Sequence, residues 1–300
     1  MYNGIVNVYK EKGFTSFDVV AKLRGIFGQR RIGHTGTLDP DAEGVLPVCL
    51  GNATRVCEYL TDRVKTYRAV MRFGLRTDTQ DIGGEILTRQ SFDSQADEVR
   101  EAVFSFIGDY MQLPPMYSAK KVNGKRLYEL ARKGISVERK PCPVKIYNIK
   151  ILEERLSGSE PEISIEVECS KGTYIRTLCS DIGDKLGCGA VMTELLRIRS
   201  GSFYMEASYR IDDLEKLKAE DRLAEAVEGT DRVFEAYEAV TVRAEGMRYL
   251  LNGNTLSKEL VLAFPKEGKY RIYDEKGQFY ALYERREGES FLRPDKMFLP

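Results

Sequence analysis

The first hydrophobic positions of the chain predict a strand followed by a helix. Residues 4–9 alternate weakly between apolar and polar side chains, a pattern that is typical of a strand. Thr15 and Asp18 have the spacing of a capping box, which predicts the start of a helix that ends at Gly28. One face of that helix is apolar and comprises Val19, Val20, Leu23, Ile26 and Phe27.

The central part of the chain predicts further strands and helices around one long loop. We expect a polar, glycine-rich loop over residues 29–44, a short buried strand over 45–50, a helix over 53–60 and a strand over 66–73. Ser94 and Asp97 again have capping-box spacing and predict a helix that extends to residue 107. Two prolines exclude regular structure from residues 112–117.

Apolar and polar side chains alternate again in the second half of the chain. Residues 163–169 alternate without a break, as a half-buried antiparallel strand does, and apolar positions at 147, 149 and 151 predict its partner. Helical spacing marks residues 173–186, and an acidic run over 211–238 then separates this body from a compact tail. In the tail we expect a helix near 244–251, strands at 260–264, 270–273 and 279–283, and a turn at 274–277. These elements predict a mixed α+β main body with a small β-rich C-terminal domain.

Composition excludes several classes of function. The chain has 300 residues, 42% of them hydrophobic, so it can bury a core, and its length suggests two domains. A single histidine excludes metal sites that need two imidazole ligands. None of the six cysteines stands in a Cys-x-x-Cys pair, which argues against a structural zinc site, so we expect no bound metal.

The cysteines and the N-terminus indicate the compartment. An even number of cysteines permits disulfides, but a chain of this length without a secretory leader is more simply interpreted as reduced. No stretch approaches the roughly 20 apolar residues of a membrane span. We therefore expect a cytoplasmic protein that does not bind membranes.

The net charge of zero conceals two oppositely charged segments. The whole chain has 46 Lys+Arg and 46 Asp+Glu residues. Residues 111–150 contain ten bases and two acids, a charge of +8, whereas residues 211–240 contain ten acids and four bases, a charge of −6. The basic segment also carries Tyr117, Tyr128 and Tyr147, which suits a polyanion with stackable bases. A solvated basic face that serves solubility explains this feature alone equally well.

The loop over residues 33–44 combines the only histidine with three glycines and three carboxylates. Long ordered loops in compact domains tend to be functional, although the glycines could serve only tight bends and His34 could be an ordinary polar residue. The loop lacks a P-loop ending and a G-x-G-x-x-G run, and no Gly-x-Ser-x-Gly elbow supports a serine triad. The residues themselves indicate only a carboxylate site near basic and aromatic groups.

An ordered set of motifs resembles the TruB family of tRNA pseudouridine-55 synthases. It begins with Gly33-His-Thr-Gly-Thr-Leu-Asp-Pro40 and continues through residues 44–51, 53–55, 65–68, 74–79, 81–84, 112–119, 171–177 and 195–203. The tail resembles, more weakly, the PUA-type RNA-binding module of the longer bacterial members. One departure is Glu11 after Lys10, where members usually carry a proline.

The resemblance implies a fold, a domain boundary and a reaction. It implies a pseudouridine synthase catalytic domain over residues 1–235, built on a mixed, largely antiparallel sheet, and a PUA-like RNA-binding domain over 236–300. The implied reaction is the isomerisation of uridine to pseudouridine at position 55 in the T-loop of tRNA. Because this reaction is redox neutral and needs no activated donor, no cofactor is expected.

The resemblance also implies catalytic roles. Asp39 matches the essential aspartate of the family, the expected nucleophile. Attack on the ribose, attack on the uracil ring and assistance of elimination to a glycal all stay open for it. Arg176 matches the arginine that pairs with this aspartate and would oppose the rise in its pKa on burial. Tyr67 matches the tyrosine that stacks on the target uracil, and His34 matches the histidine that fills the space left by the flipped base.

The remaining implied roles concern RNA binding and the substrate pocket. The residues expected to bind RNA are Arg55, Lys120, Lys121, Arg126, Arg132 and Lys133, and those expected near the pocket are Lys10, Leu196 and Arg197. The expected partner is the T-stem-loop of tRNA, bound by a monomer without a protein partner or a guide RNA. Two alternatives stay open: a guide-dependent catalytic subunit, and an RNA-binding or tRNA-folding protein whose catalysis is secondary.

Overall fold

The computed structural model describes residues 1–122 and 124–299. Its strands are β1 (Gly4–Lys10), β2 (Ile32–His34), β3 (Glu43–Leu50), β4 (Lys65–Phe73), β5 (Leu75–Thr77), β6 (Ile86–Arg89), β7 (Gly108–Gln112), β8 (Lys121–Val122), β9 (Lys125–Arg126), β10 (Cys142–Arg155), β11 (Glu162–Cys169), β12 (Ala190–Ser200), β13 (Phe203–Tyr204), β14 (Glu238–Thr241), β15 (Leu256–Ser257), β16 (Gly268–Tyr273), β17 (Phe279–Arg285) and β18 (Phe291–Met297). Its α-helices are α1 (Ser16–Phe27), α2 (Cys57–Thr61), α3 (Ala96–Phe104), α4 (Leu127–Ala131), α5 (Ile175–Lys185), α6 (Ile211–Ala219) and α7 (Met247–Leu251).

The main body is built on one nine-stranded mixed sheet. Seven of its strands follow the order β1-β3-β12-β4-β11-β10-β7, with β2 added to β3 and β13 added to β12. β3 and β12 are parallel, whereas β4 pairs antiparallel with both β11 and β12. The prediction of an α+β fold with a mixed, largely antiparallel sheet is therefore confirmed.

The capping and alternation signals of the sequence correspond to real elements. Thr15 caps α1 with the reciprocal Asp18 bond, and Gly28 ends it in the left-handed conformation at φ +63°. Along β11, every second side chain is buried, because one face of this strand packs on the core while the other is partly open to water. Both segments fold as local propensity and hydrophobic period dictate.

Helices pack against the main sheet in two separate apolar clusters. α3 and α5 place Val99, Leu178 and Ile182 against Met71 and Ile165 of the central strands. α1 and α6 pack together on the β1–β3 edge, in a second apolar cluster.

A second sheet forms the C-terminal part, in the order β14-β16-β17-β18-β15. Its Phe279 and Phe298 belong to the same buried cluster as Val45 and Phe203 of the main body. Asn52 donates a side-chain hydrogen bond to the carbonyl oxygen of Phe298 over 2.6 Å. The C-terminal sheet and the main sheet thus share a hydrophobic core.

The structure differs from the sequence predictions at several places, among them the predicted loop 29–44, which contains β2. The cap of α3 is Gln95 with Glu98, one residue later than predicted. Residues 260–264 do not form a strand, since Val261 makes only a single bridge to Val242 after a 3-10 turn. The acidic run is not a separator, because its helix α6 packs on α1. Among the described residues, no helix is long and apolar enough to cross a membrane.

Candidate active site

A buried lysine supports the loop that carries Asp39. Lys10, the last residue of β1, is fully buried, and its ammonium group donates hydrogen bonds to the carbonyl oxygens of Glu11 (3.1 Å), Phe14 (2.5 Å) and Pro40 (3.0 Å). Burial lowers the pKa of Lys10 to about 8. The Lys10 side chain holds the backbone around this loop and is not part of the wall of the cavity described below.

The start of α1 holds the same loop from a second side. The backbone N–H of Leu38 donates to the Ser16 hydroxyl over 2.9 Å, and the Leu38 side chain is buried. The Asp39 carbonyl accepts a hydrogen bond from the backbone of Ala42 over 3.1 Å, which closes a turn. The Asp39 side chain therefore leaves a fixed backbone, and 42% of it stays exposed.

Arg176 holds the Asp39 carboxylate. It lies in the first turn of α5, its side chain is only 6% exposed, and its Nε is 3.1 Å from Asp39 Oδ2. Its Nη1 is 3.2 Å from Asp81 Oδ2, and its Nη2 donates to the Tyr117 carbonyl over 2.8 Å. The guanidinium group thus joins three segments that are far apart in the sequence.

The Asp81 turn is itself well ordered by hydrogen bonds. Asp81 Oδ1 accepts from the Thr79 hydroxyl (2.8 Å) and from the backbone N–H of Gly83 (3.1 Å). The Thr79 carbonyl accepts from Arg176 Nη1 over 3.1 Å. The turn therefore offers Arg176 a second carboxylate and a carbonyl at fixed positions.

Opposing effects act on the Asp39 carboxyl group. Burial raises its pKa above the ordinary value, and the neighbouring charges of Asp81 and Asp41 act in the same direction. The Arg176 guanidinium opposes this rise, as does the Lys10 ammonium group. The pair keeps a reactive carboxylate beside a fixed cation, as nucleophilic catalysis by aspartate requires.

A cavity of about 320 Å³ opens beside this ion pair. Its wall comprises Gly36, Thr37, Leu38, Asp39, Thr61, Lys65, Tyr67, Ser118, Ala119, Lys120, Lys171, Gly172, Thr173, Tyr174, Ile175, Arg176, Leu195 and Arg197. Tyr67 of β4 and Arg197 of β12 are direct partners in the antiparallel register. Burial raises the pKa of the Tyr67 hydroxyl, so this aromatic ring stays neutral in the wall.

The structure corrects one pocket residue by a single position. Leu195 and Arg197 line the cavity, but Leu196 between them does not. Because successive side chains of a strand point to opposite faces, Leu196 lies on the other face of β12. The structure thus brings Leu195, and not Leu196, to the wall of this cavity.

His34 lies near the cavity but outside its wall. It ends β2 and is half-buried, and its Nδ1 accepts a hydrogen bond from the backbone of Gly36 over 3.3 Å. Burial and the charge of Arg197 lower its pKa. The ring is therefore a neutral, flat group next to the catalytic loop.

The basic residues predicted to bind RNA fall into two places. Lys120 lines the cavity, and its ammonium group contacts Cys142 Sγ. The exposed side chains of Lys121, Arg126, Arg132 and Lys133 follow it on the β8–β9 hairpin and after α4. We call residues 120–133 the basic rim. Arg55 lies apart from it, where its Nη1 donates to the Met297 carbonyl of the C-terminal sheet over 2.8 Å.

Sequence reasoning missed three residues of the site. Asp81 belongs to a motif of the resemblance, yet only its ion pair with Arg176 shows its task. Lys65 and Ser118 line the cavity, and the buried Ser118 hydroxyl has no hydrogen-bond partner in the described part of the chain. Lys65 and Ser118 both lie within motifs of the resemblance, at 65–68 and 112–119, but no role was assigned to either of them. Within the described ranges, no group of three His, Cys, Asp or Glu residues could hold a metal ion.

Comparison with known proteins defines the class. Residues 24–175 match the family described as TruB family pseudouridylate synthase (N terminal domain). Residues 176–235 match the tRNA pseudouridylate synthase B C-terminal domain, so this second match ends before β14. A chain in a solved H/ACA RNP bound to a substrate RNA containing 2'-deoxyuridine is 26% identical, with a TM-score of 0.71 over 99% of this chain and 85% of that one. The fold is that of a pseudouridylate synthase.

Curated relatives narrow the class to one family. The protein named tRNA pseudouridine synthase B of Lachnoclostridium phytofermentans is 49% identical over 99% of this chain and 100% of the relative. Its namesake in Clostridium novyi is 46% identical over 93% of this chain and 94% of the relative. The chain belongs to the TruB family.

Proposed function

We propose that this protein isomerises uridine to pseudouridine at position 55 in the T-loop of tRNA, without a guide RNA. The observation that carries the proposal is the ion pair of Asp39 with the buried Arg176 at a cavity that also contains Tyr67. Membership of the TruB family and relatives named tRNA pseudouridine synthase B support the reaction and the substrate.

This isomerisation needs a nucleophile, but it needs no oxidant and no activated group donor. The C1′–N1 glycosidic bond breaks, the uracil turns, and a C1′–C5 bond forms, while C5 loses its proton and N1 gains one. Asp39 supplies the carboxylate that divides this difficult step into easier ones. Arg176 keeps that carboxylate ionised and oriented, because its own contacts to Asp81 and Tyr117 fix the guanidinium plane.

The cavity suits a single flipped nucleoside. Its volume lies at the lower end of the range for small-molecule pockets, and the Tyr67 ring supplies a surface on which a pyrimidine stacks. Removing the base from a folded loop costs a few kcal/mol. His34, neutral and flat beside the cavity, fills the space that the base leaves.

The RNA backbone lies along the basic rim in this proposal. Lys120 and the exposed Lys121, Arg126, Arg132 and Lys133 neutralise phosphates beside the cavity. Arg55 contributes from the junction with the C-terminal sheet, where its other guanidinium nitrogens stay available to RNA. We place the boundary between a catalytic domain, 1–235, and a PUA-like RNA-binding domain, 236–300, just before β14. We expect a cytoplasmic monomer without a protein partner.

Two alternative functions agree less well with these observations. A guide-dependent subunit would act on RNA held by a partner, yet the identity to the tRNA pseudouridine synthase B relatives, 49%, exceeds the 26% to the chain in the H/ACA RNP. An RNA-binding or tRNA-folding protein would need no ion pair in a cavity. The Asp39–Arg176 pair therefore favours the enzyme.

Tritium release tests the proposal directly. Wild-type protein should release tritium from an unmodified tRNA transcript labelled at C5 of uridine, at one site and without added cofactor, metal or guide. Asp39→Asn should bind the same tRNA and release none. Asp41→Asn is the matched control, because this exposed carboxylate lies two residues away in the same loop, and its variant should turn over normally. Wild type without release would refute the enzyme, and loss of tRNA binding in Asp39→Asn would assign Asp39 a structural role.

A further inference from the structure

Two buried cations in the cavity wall lack a carboxylate partner. Arg197 is 1% exposed and Lys65 is 6% exposed. In the described part of the chain, no Asp or Glu oxygen lies within 4.0 Å of the side-chain nitrogens of either residue. Arg176 in the same wall differs, since Asp39 and Asp81 neutralise its charge. Burial of a charge without a counter-ion is unfavourable and calls for an explanation.

Backbone carbonyls satisfy the hydrogen-bonding groups of these cations but not their charge. Lys65 Nζ donates to the carbonyls of Thr61 (2.8 Å) and Arg63 (3.0 Å). Arg197 Nε donates to the Val45 carbonyl (2.7 Å), and its Nη2 donates to the Gly36 carbonyl (3.3 Å). These neutral oxygens fix both side chains in place and leave two positive charges beside the cavity.

Both cations face the same point of the catalytic loop. A Cβ atom built on Gly36 would be 3.7 Å from Arg197 Nη1 and 3.7 Å from Lys65 Cε. Both residues also line the cavity beside Tyr67, which lies two positions from Lys65 on β4 and opposite Arg197 in the register. The two side chains therefore approach each other at Gly36, in the same cavity wall as Tyr67.

We propose that Lys65 and Arg197 bind an anionic oxygen of the substrate, as a second cationic site beside the Asp39–Arg176 pair. The inference rests on the proposed function. When the C1′–N1 bond breaks, the electron pair stays on the uracil, and its negative charge spreads to the ring oxygens. A phosphate oxygen next to the flipped nucleotide has the same chemistry. Fixed cations that are themselves buried stabilise either anion.

A comparison of Lys65→Met with Lys65→Arg tests this site. Tritium release under single-turnover conditions gives the rate constant at saturating protein, and filter binding gives the tRNA dissociation constant. If the anion bound by Lys65 is a ring oxygen of the uracil, Lys65→Met should lower the rate constant on the order of 100-fold. If it is a phosphate oxygen, Lys65→Met should weaken tRNA binding instead. Lys65→Arg should restore most of the loss in both cases, because it keeps the charge.

Thermal unfolding separates this role from a structural one. Lys65→Met removes an unpaired buried charge, so its Tm should equal or exceed that of wild type. Arg68→Met is the matched control, since Arg68 is a half-exposed cation on the opposite face of β4, paired with Glu166 at 3.0 Å. It should leave rate and binding unchanged. Lys65→Met with wild-type rate and binding overturns the inference, and so does a loss of activity with a lowered Tm that Arg does not rescue.

A pH profile supplies a further readout. The pKa of Lys65 is lowered to about 8, chiefly by burial and by the charge of Arg197 on β12, and to a smaller extent by Lys171. Cys169 of β11 and Asp62 act in the opposite direction and raise it. Lys65 is charged below this pKa, so kcat/KM of wild type should fall as the pH rises through 8, relative to Lys65→Arg. Lys10 titrates in the same range in both proteins, so the ratio of the two profiles isolates Lys65. A constant ratio from pH 7 to 9.5 contradicts the inference. Wild type without any tritium release would instead refute the proposed function.

Discussion

Replacing Arg176 by methionine tests how much the ion pair contributes to the fold. Met keeps much of the aliphatic side chain but removes the guanidinium group that contacts Asp39, Asp81 and the Tyr117 carbonyl. Two carboxylates then share one partly buried site without a cation. We expect a folded protein of reduced stability that releases no tritium.

The size of the effect follows from burial. Removal of one partner from a buried ion pair costs about 3–5 kcal/mol. Asp39 is 42% exposed and Asp81 is 28% exposed, so water compensates part of the loss and the lower figure applies. A loss of about 3 kcal/mol corresponds to a fall in Tm of roughly 5–8 °C for a chain of this size.

The effect should depend on pH with a defined sign. Burial already raises the pKa of Asp39 while Arg176 opposes the rise, so the variant raises it further. A carboxyl group whose folded pKa exceeds its unfolded pKa destabilises the fold fully above the folded pKa, and the penalty disappears as the pH falls through it. The Tm difference between Arg176→Met and wild type should therefore shrink between pH 7 and pH 4.5.

Calorimetry at both pH values, with the double variant Arg176→Met/Asp81→Asn, completes the test. Asp81→Asn removes one of the two unpaired charges, so the double variant should recover part of the Tm that Arg176→Met loses. Asp81→Asn alone serves as the control for the change at Asp81. A Tm of Arg176→Met equal to that of wild type at pH 7, or a difference that does not shrink in acid, refutes the reasoning.

Two further variants test the loop geometry and the basic rim. Gly44→Ala should destabilise the protein by about 2–3 kcal/mol and lower activity, because Gly44 has φ +107° and its Cβ would lie 2.2 Å from the Arg197 carbonyl oxygen. Gly25→Ala, in the open interior of α1, should raise Tm slightly, and an equal effect of both changes on Tm would contradict this account. Arg132→Gln/Lys133→Gln should raise KM for tRNA without a change in kcat and reduce the salt dependence of binding by about one unit of slope per residue. Lys216→Gln on the acidic helix α6 is its control, and an unchanged salt slope in the rim variant would exclude phosphate contacts there.

Local signals in the sequence predicted elements whose period is unbroken. The capping box of α1 and the alternation of β11 depend on neighbours a few residues away, and both segments fold as predicted. β12 escaped prediction although it lies at the centre of the sheet. Register shifts at Met192/Glu194 and Arg197/Arg199 break its period of two, so the pattern that marks a strand is absent from its sequence.

Motif resemblance predicted which residues form the site but not what supports them. Asp39, Tyr67 and Arg176 meet at one cavity, as the resemblance implies. Asp81 could not be assigned, because its partner Arg176 is 95 residues away and no local pattern records the ion pair. Lys10 shows the converse: the resemblance implies a place near the pocket, whereas its ammonium group donates to three backbone carbonyls around the loop.

The absence of a proline after Lys10 does not loosen the catalytic loop. The Glu11 carbonyl accepts a hydrogen bond from the Lys10 ammonium group, and the Glu11 carboxylate pairs with Arg210. The backbone N–H of Gly13 also donates to the Pro40 carbonyl over 2.9 Å. Hydrogen bonds and an ion pair thus restrain a turn that a proline ring would otherwise restrain through φ.

The separation of charge along the chain has a structural consequence at the site. The acidic segment packs through Ile211 and Leu214 onto the α1 side of the sheet, away from the cavity wall, whereas the basic segment reaches that wall at Lys120. The backbone just before Lys120 includes the Tyr117 carbonyl, which accepts a hydrogen bond from Arg176. RNA that binds the basic rim therefore contacts the segment whose carbonyl orients Arg176, and Arg176 in turn orients the Asp39 carboxylate. In the proposed function, RNA binding at the basic rim and alignment of Asp39 would therefore depend on one continuous set of contacts.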